Sequence, residues 1–339
     1  MLLFRSPKPV IVPEKSWELG GKLRLVEVVP ETDRLRMYYQ VTFADAPLQN
    51  ILCVAYSRDG FVWERAALAD GTNIVMRSSG HAMDWGVFSP QKIIRNPNPE
   101  NPAHTWLMTY WERPSIAFPP GICLAASTDG FRWQLLHDQP IITGMNDAAA
   151  FVPAHPELKI PLTASPYFIY QQTWKYNPHL PQTRDNLKAM HRVISIWVCR
   201  HFPERWLGPV TVLEPDEHDP PDLQFYLLNP FLTQTGYAGL LHGHHTGNQT
   251  MDIQLVTSRD GWTWQRAHGR RPVLPLGEDG HFDCGMVYAN ATPMKWNGRL
   301  HLFYNGRPTV HDGKLYATKP VPEPSEGIGL AIFSEALLQ

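Results

Sequence analysis

Ser57-Arg58-Asp59-Gly60-Phe61-Val62-Trp63 recurs as Ser127-Thr128-Asp129-Gly130-Phe131-Arg132-Trp133 and as Ser258-Arg259-Asp260-Gly261-Trp262-Thr263-Trp264. All three read S-x-D-G-x-x-W. Ser57 to Ser127 is a step of 70 residues and Ser127 to Ser258 one of 131, so a degenerate copy belongs between the last two. Residues 200–206 (RHFPERW) fill that slot and end on the tryptophan. Residues 329–334 (GLAIFS) match 123–128 (CLAAST) and mark a fifth, final copy. Asp-Gly is expected to supply the positive-φ positions of a tight hairpin turn, Ser to cap it, and Trp to start the next strand against a buried layer.

Outward from each turn the pattern repeats. About 19 residues upstream of the serines lie apolar, aromatic stretches at 35–41 (LRMYYQV), 105–111 (TWLMTYW) and 237–241, with 167–171 (YFIYQ) and 300–304 (LHLFY) in the other two units. Further upstream each unit opens on an acid: Glu18, Asp84, Asp147, Asp222 and Asp283. Each unit thus reads as four consecutive antiparallel strands, and such units arranged radially are propeller blades. The expected fold is all-β: one five-bladed β-propeller over residues 1–339, with four-stranded blades near 20–80, 81–143, 144–217, 218–278 and 279–339. The segment before Trp17 is expected to pair into the last blade, because the fifth copy ends without a Trp strand of its own. Only 184–192 (RDNLKAMHR) has helical propensity, as an insertion in the third unit.

Composition narrows the partners. The chain has 339 residues, 30 Lys plus Arg against 32 Asp plus Glu, and a formal net charge of −2. No field of either sign exists to gather nucleic acid or an anionic membrane. Hydrophobic residues make up 43% and charged ones 18%, enough apolar material for a core. The 32 prolines, near twice ordinary usage, fit many reversals between short strands. No apolar run reaches a membrane-spanning length, and the opening apolar stretch is too short for a signal-peptide core, so a cytoplasmic location is expected. Cys53, Cys123, Cys199 and Cys284 form no C-x-x-C. Cys53 and Cys123 stand at equivalent places in different units, which predicts free thiols.

First strands of propeller blades line the central channel and run the same way. The five opening acids would therefore form a ring at one mouth, and such convergence raises some carboxyl pKa values. Glycoside hydrolysis needs that arrangement: one carboxyl held protonated, another ionised as base or nucleophile, about 5 Å apart or roughly 6.5–9.5 Å according to stereochemistry. Glu18, beside Trp17, is the expected general acid, and Asp84 and Asp283 the expected base or nucleophile. Asp147 completes the acid–base set and, with Asp222, could hold hydroxyl groups. Trp17, Trp85, Phe282 and Tyr288 could supply sugar platforms. Glu112 and Arg113 in Y-W-E-R-P, and Arg307 in Y-N-G-R-P followed by His311, could supply polar contacts. In the HGHH stretch at 242–245, His244 and His245 are expected to bond substrate. No metal is expected, because alternate strand residues face opposite ways and no third ligand is assured. No Walker A, G-x-G-x-x-G or G-x-S-x-G string occurs, so no cofactor is expected.

The S-x-D-G-x-x-W turns, K-S-W-E at 15–18, G-H-F-D-C-G at 280–285 and G-I-G-L-A at 327–331 together resemble the five-bladed propeller glycosidases, the group spanning glycoside hydrolase families 43, 32, 68, 117 and 130. The likeness extends over almost the whole chain and is nearest to bacterial family 32- or 43-like proteins. It implies a glycosidase acting on an exposed sugar end, with an Asp on the first blade, an Asp on the next catalytic blade and a Glu acid later. Here the first-blade acid is Glu18, Asp84 fits the second-blade Asp, and the third-blade acid is Asp147. Family 130 implies an alternative, phosphorolysis with an Asp acid and basic residues such as Arg113, Arg307 and His311 around phosphate. A non-catalytic carbohydrate-binding propeller is the third reading. Sugar identity, stereochemical course and oligomeric state stay open at this point.

Overall fold

The computed structural model describes every residue except 97, 98, 100, 145, 157–164, 179–188 and 339. Among the described residues the regular structure is β-strand with four short 3-10 turns and no α-helix. The first three repeats are antiparallel meanders. The first runs Lys22–Pro30, Leu35–Thr42, Ile51–Ser57, then Glu64–Arg65 with Ile74–Arg77. The second runs Ser89–Arg95, Trp106–Glu112, Gly121–Ser127, then Gln134–Leu135 with Ile142–Thr143. The third runs Ala149–Pro153, Tyr167–Tyr176, Met190–His201 and Glu204–Leu213. In the first two the fourth strand is split, two short pieces pairing with the same third strand. The helical insertion read at 184–192 falls mostly outside the described residues, and from Met190 the chain is already strand.

The fourth repeat follows the same plan through Leu223–Leu232, Tyr237–His245 and Thr250–Ser258, closed by Gln265–Arg266 and Pro272–Leu274. In the fifth, Arg299–Arg307 neighbours Gly327–Phe333, and Leu2–Arg5 pairs antiparallel with Gly327–Phe333. Contacts gather the chain into two compact units. One comprises Met1–Asp147, Ala289–Asn305 and Glu326–Gln339; the other comprises Ala148–Tyr288 and Gly306–Ser325.

The recurring heptapeptide folds the same way three times. The serine Oγ accepts the glycine N–H at 2.8–2.9 Å, and the aspartate Oδ1 accepts the next two amides at 2.8–2.9 Å. Burial pushes these aspartates up, but the turn amides outweigh it and hold all three below the usual value. Only the glycine has positive φ, between 77° and 83°, so the expected Asp-Gly pair of left-handed residues is corrected. The aspartate works through its side chain. Trp63 and Trp264 donate Nε1–H to the turn glycine carbonyl at 3.1 Å, and Trp206 of the degenerate copy donates to Pro203 O at 2.9 Å.

These turns also join neighbouring repeats. In the first unit the Tyr38 hydroxyl donates to Gly130 O at 3.1 Å, and a Cβ on Gly130 would lie 2.3 Å from that hydroxyl. In the second unit Tyr170 makes the same bond to Gly261 O at 2.6 Å. Each bond contributes on the order of 1 kcal/mol, and the larger share comes from the apolar surface around it. Val26, Tyr38, Val54, Phe88, Trp106 and Met108 fill the layer between repeats one and two, while Phe168, Tyr170, Phe225, Tyr237 and Trp264 fill that between three and four. Phe303 meets Trp63 edge-on at 5.5 Å, packing repeat five on repeat one. All four cysteines are free and buried; Cys53 pairs with Tyr39 and Cys123 with Tyr110, at equivalent register.

Candidate active site

The first strands carry a shared irregularity. A one-residue bulge leaves Val26, Gln91 and Tyr226 without a cross-strand partner in repeats one, two and four. Bulges re-aim side chains, and these mark equivalent places on three strands. Measured from them, Glu18 and Asp84 stand eight and seven residues upstream but Asp222 only four. Asp222 is therefore out of step with Glu18 and Asp84. It instead pins the end of its own hairpin, accepting Gly247 N–H at 3.2 Å on Oδ2 and Thr246 N–H at 2.9 Å on its carbonyl.

In the first unit Glu18 is 0% exposed. Its carboxylate accepts Arg65 Nη2 at 2.8 Å and Nε at 3.1 Å, the Glu14 amide at 2.8 Å, the Lys15 amide at 3.2 Å and the Tyr39 hydroxyl. Burial pushes its pKa up, but the bonds from Arg65 and Tyr39 outweigh it and hold the carboxyl below the ordinary value. The expected general acid is thus corrected: this carboxylate is ionised and saturated by structural partners. Trp17 does not desolvate it into holding a proton, and its indole N–H is committed to Asn73 Oδ1 at 2.9 Å.

The opening of the second repeat has the opposite character. Asp84 and Trp85 are exposed on the loop before Ser89–Arg95, and the Trp85 ring lies on Trp111 with centroids 4.5 Å apart. Glu112, at the end of the strand that carries Trp111, is 2% exposed and accepts the amides of Ser79 at 2.9 Å and Arg113 at 3.1 Å. Burial raises its pKa against those bonds. Arg113 is corrected as a substrate donor, because its guanidinium binds the carbonyls of Phe118, Ala82 and Ile116 at 2.9–3.0 Å. These contacts clamp the loop so that Asp84 and Trp85 face solvent from a fixed base.

Asp147 is half-buried. Burial raises its pKa, opposed by its own amide and by Arg24 on the first strand of repeat one. Raised affinity for a proton combined with solvent access is what a proton donor requires. The sequence reading missed Glu27 and Lys92, a buried pair at 2.7 Å whose ammonium also donates to Thr292 Oγ1 and Asn290 O. Both sit one residue past a bulge, which strand register shows and no side-chain pattern announces.

In the second unit Asp283 is 1% exposed, packed where Gly277 and Gly306 leave room: a Cβ would come within 2.0 Å of its Oδ1 and 2.5 Å of its Cβ respectively. Phe282 is buried against Gly306, so it is corrected as an open sugar platform. Tyr288 is half-buried, and the Arg307 carbonyl accepts Gly285 N–H at 2.9 Å. His244 and His311 lie with ring centroids 4.7 Å apart, Tyr226 bonds His311 Nε2 at 3.2 Å, and Arg192 sits over the Tyr226 ring at 5.5 Å. His245 faces elsewhere and pairs with Asp252 at 3.1 Å, a bond that raises its pKa. His242 bonds Leu227 O, and burial brings its pKa down to about 4. No cluster of three or more metal-ligating side chains occurs among the described residues.

No protein-family model matches the sequence, and no curated protein matches it. Solved structures do. A β-1,2-mannobiose phosphorylase from Listeria innocua aligns with TM-score 0.63 at 12% identity, over 99% of this chain and 97% of that one. A glycosyl hydrolase from Bacteroides ovatus aligns with TM-score 0.61 at 13% identity, over 97% and 92%. A thermostable family-43 glycoside hydrolase aligns with TM-score 0.56 at 16% identity, over 93% and 92%. The chain thus has the fold of the β-propeller glycoside hydrolases and phosphorylases, along nearly its full length.

Proposed function

We propose that the protein is a five-bladed propeller that cleaves a glycosidic bond at a sugar end by paired carboxylates. The observation that carries this reading is that one compact unit holds both a half-buried Asp147 whose pKa is raised and an exposed Asp84 beside an exposed Trp85. Asp147 delivers a proton to the departing oxygen. Asp84 serves as base or nucleophile at the anomeric carbon, and Trp85 receives the apolar face of the sugar ring. Glu112 is a positioning residue that fixes the Asp84 loop.

Phosphorolysis is the second reading, favoured by the gathering of Arg192, Tyr226, His244 and His311, four side chains suited to an anion. A panel of nitrophenyl glycosides assayed with and without inorganic phosphate tests both. Turnover without phosphate supports hydrolysis, turnover that needs phosphate supports phosphorolysis, and glycan binding with no turnover in either assay leaves only the binding propeller.

A further inference from the structure

The first repeat contains a cavity of about 590 Å³ that the carboxylate chemistry does not use. Its walls include Trp17, Phe43, Leu48, Gln49, Arg77 and Ser78, drawn from the opening segment, the connection after Leu35–Thr42 and the end of Ile74–Arg77. Trp17 and Phe43 pack on the core behind, and both are held: the indole N–H by Asn73, the Phe43 amide by Asn50 Oδ1 at 2.9 Å. A rigid aromatic wall beside amide and hydroxyl groups suits a pyranose ring, and the volume lies within the usual range of small-molecule sites.

Arg77 is the only charged residue in this lining. Three other arginines of the unit are held by protein groups: Arg65 by Glu18, Arg36 by Glu31, Arg113 by three carbonyls. Among the described residues no hydrogen bond or ion pair engages the Arg77 guanidinium. Asp70, a carboxylate that feels its charge, is occupied by the Thr72 amide and hydroxyl at 2.9 Å. A guanidinium fork matches a planar carboxylate through two parallel bonds. One residue past Ser78, the Ser79 amide bonds Glu112, so the cavity adjoins the loop that carries Asp84 and Trp85.

We propose that this cavity binds a carboxylate-bearing pyranose, a uronic acid unit of the glycan, with Arg77 on its carboxylate and Trp17 and Phe43 against its ring. The assignment of substrate class rests on the glycosidase reading above. Calorimetric titration of the intact protein with a uronic acid disaccharide, its neutral methyl ester and a sugar 6-sulfate tests it. The free acid is expected to bind at least about tenfold tighter than the ester, the scale of one charge-assisted hydrogen bond. Arg77→Gln removes that preference, whereas Arg58→Gln, at an exposed arginine outside the cavity, keeps it. Equal binding of acid and ester, tighter binding of the sulfate, or equal loss in both variants overturns the proposal. Turnover of neutral glycosides by the wild type without uronate preference defeats this inference alone, and Arg77-dependent uronate binding without turnover of any glycoside defeats the catalytic reading alone.

Discussion

The second and fifth repeats end their second strands on the same frame, Tyr110-Trp111-Glu112-Arg113-Pro114 and Tyr304-Asn305-Gly306-Arg307-Pro308, yet supply a buried carboxylate by different routes. In the second repeat the strand itself carries it, as Glu112, and the opening loop is free to expose Asp84. In the fifth repeat the corresponding place is Gly306, and the carboxylate that packs against it is Asp283 from the opening segment. A repeated backbone therefore specifies a place and leaves its filling to whichever segment has the side chain and the room. The consequence is chemical. One repeat presents an exposed acid on a clamped loop, and the other buries its acid.

Exchanging the two solutions gives the largest stability effect. Gly306→Glu places a second carboxylate against Asp283 and the Phe282 ring, and urea denaturation is expected to show a loss of about 3 kcal/mol or more, through overpacking plus an unpaired buried charge. A stable variant would show that the fifth repeat has spare room. For turnover, Asp84→Asn and Asp147→Asn are each expected to lower kcat at least about 10²-fold with the melting temperature unchanged. Asp283→Asn, at a buried place, is expected to lower the melting temperature instead. If Asp84→Asn keeps near-normal kcat on a confirmed substrate, the reacting side is not in the second repeat.

Smaller effects sharpen the contrast. Glu112→Gln turns one of two amide acceptors into a donor, so a loss of about 1–2 kcal/mol is expected, with kcat falling less than for Asp84→Asn. An equal fall would make Glu112 a reacting group instead of a positioning one. Glu18 provides the pH test. Its folded pKa lies below the ordinary value of 4.5, so its stabilisation is present above that value and lost as pH falls through the lower folded pKa. Glu18→Gln should flatten the acid limb of wild-type stability below about pH 4.5 while leaving turnover near neutral pH intact. Lost turnover in a folded Glu18→Gln protein would restore it as the acid.

Much of the architecture was legible in residue order. The S-x-D-G-x-x-W turns, the aromatic second strands and the free cysteines all follow from local pattern and spacing, because a turn's hydrogen bonds lie within a few residues. Ser57, Asp59, Gly60 and Trp63 satisfy one another. The candidate site was legible only as a set of acids. Proton affinity depends on neighbours brought from afar: Arg65 is 47 residues from Glu18, and Tyr39 is 21. Those partners turned the expected acid into a structural anion, while burial raised Asp147 against the opposing pull of its own amide and Arg24. Arg113 was similarly taken by the carbonyls of Ala82, Ile116 and Phe118, and Tyr226 was aimed by a bulge that no side-chain pattern announces. Residue order determined the repeat and the candidate acids, whereas the packed structure decided which carboxyls hold a proton more tightly and which less, because desolvation and hydrogen bonding exist only once distant segments meet.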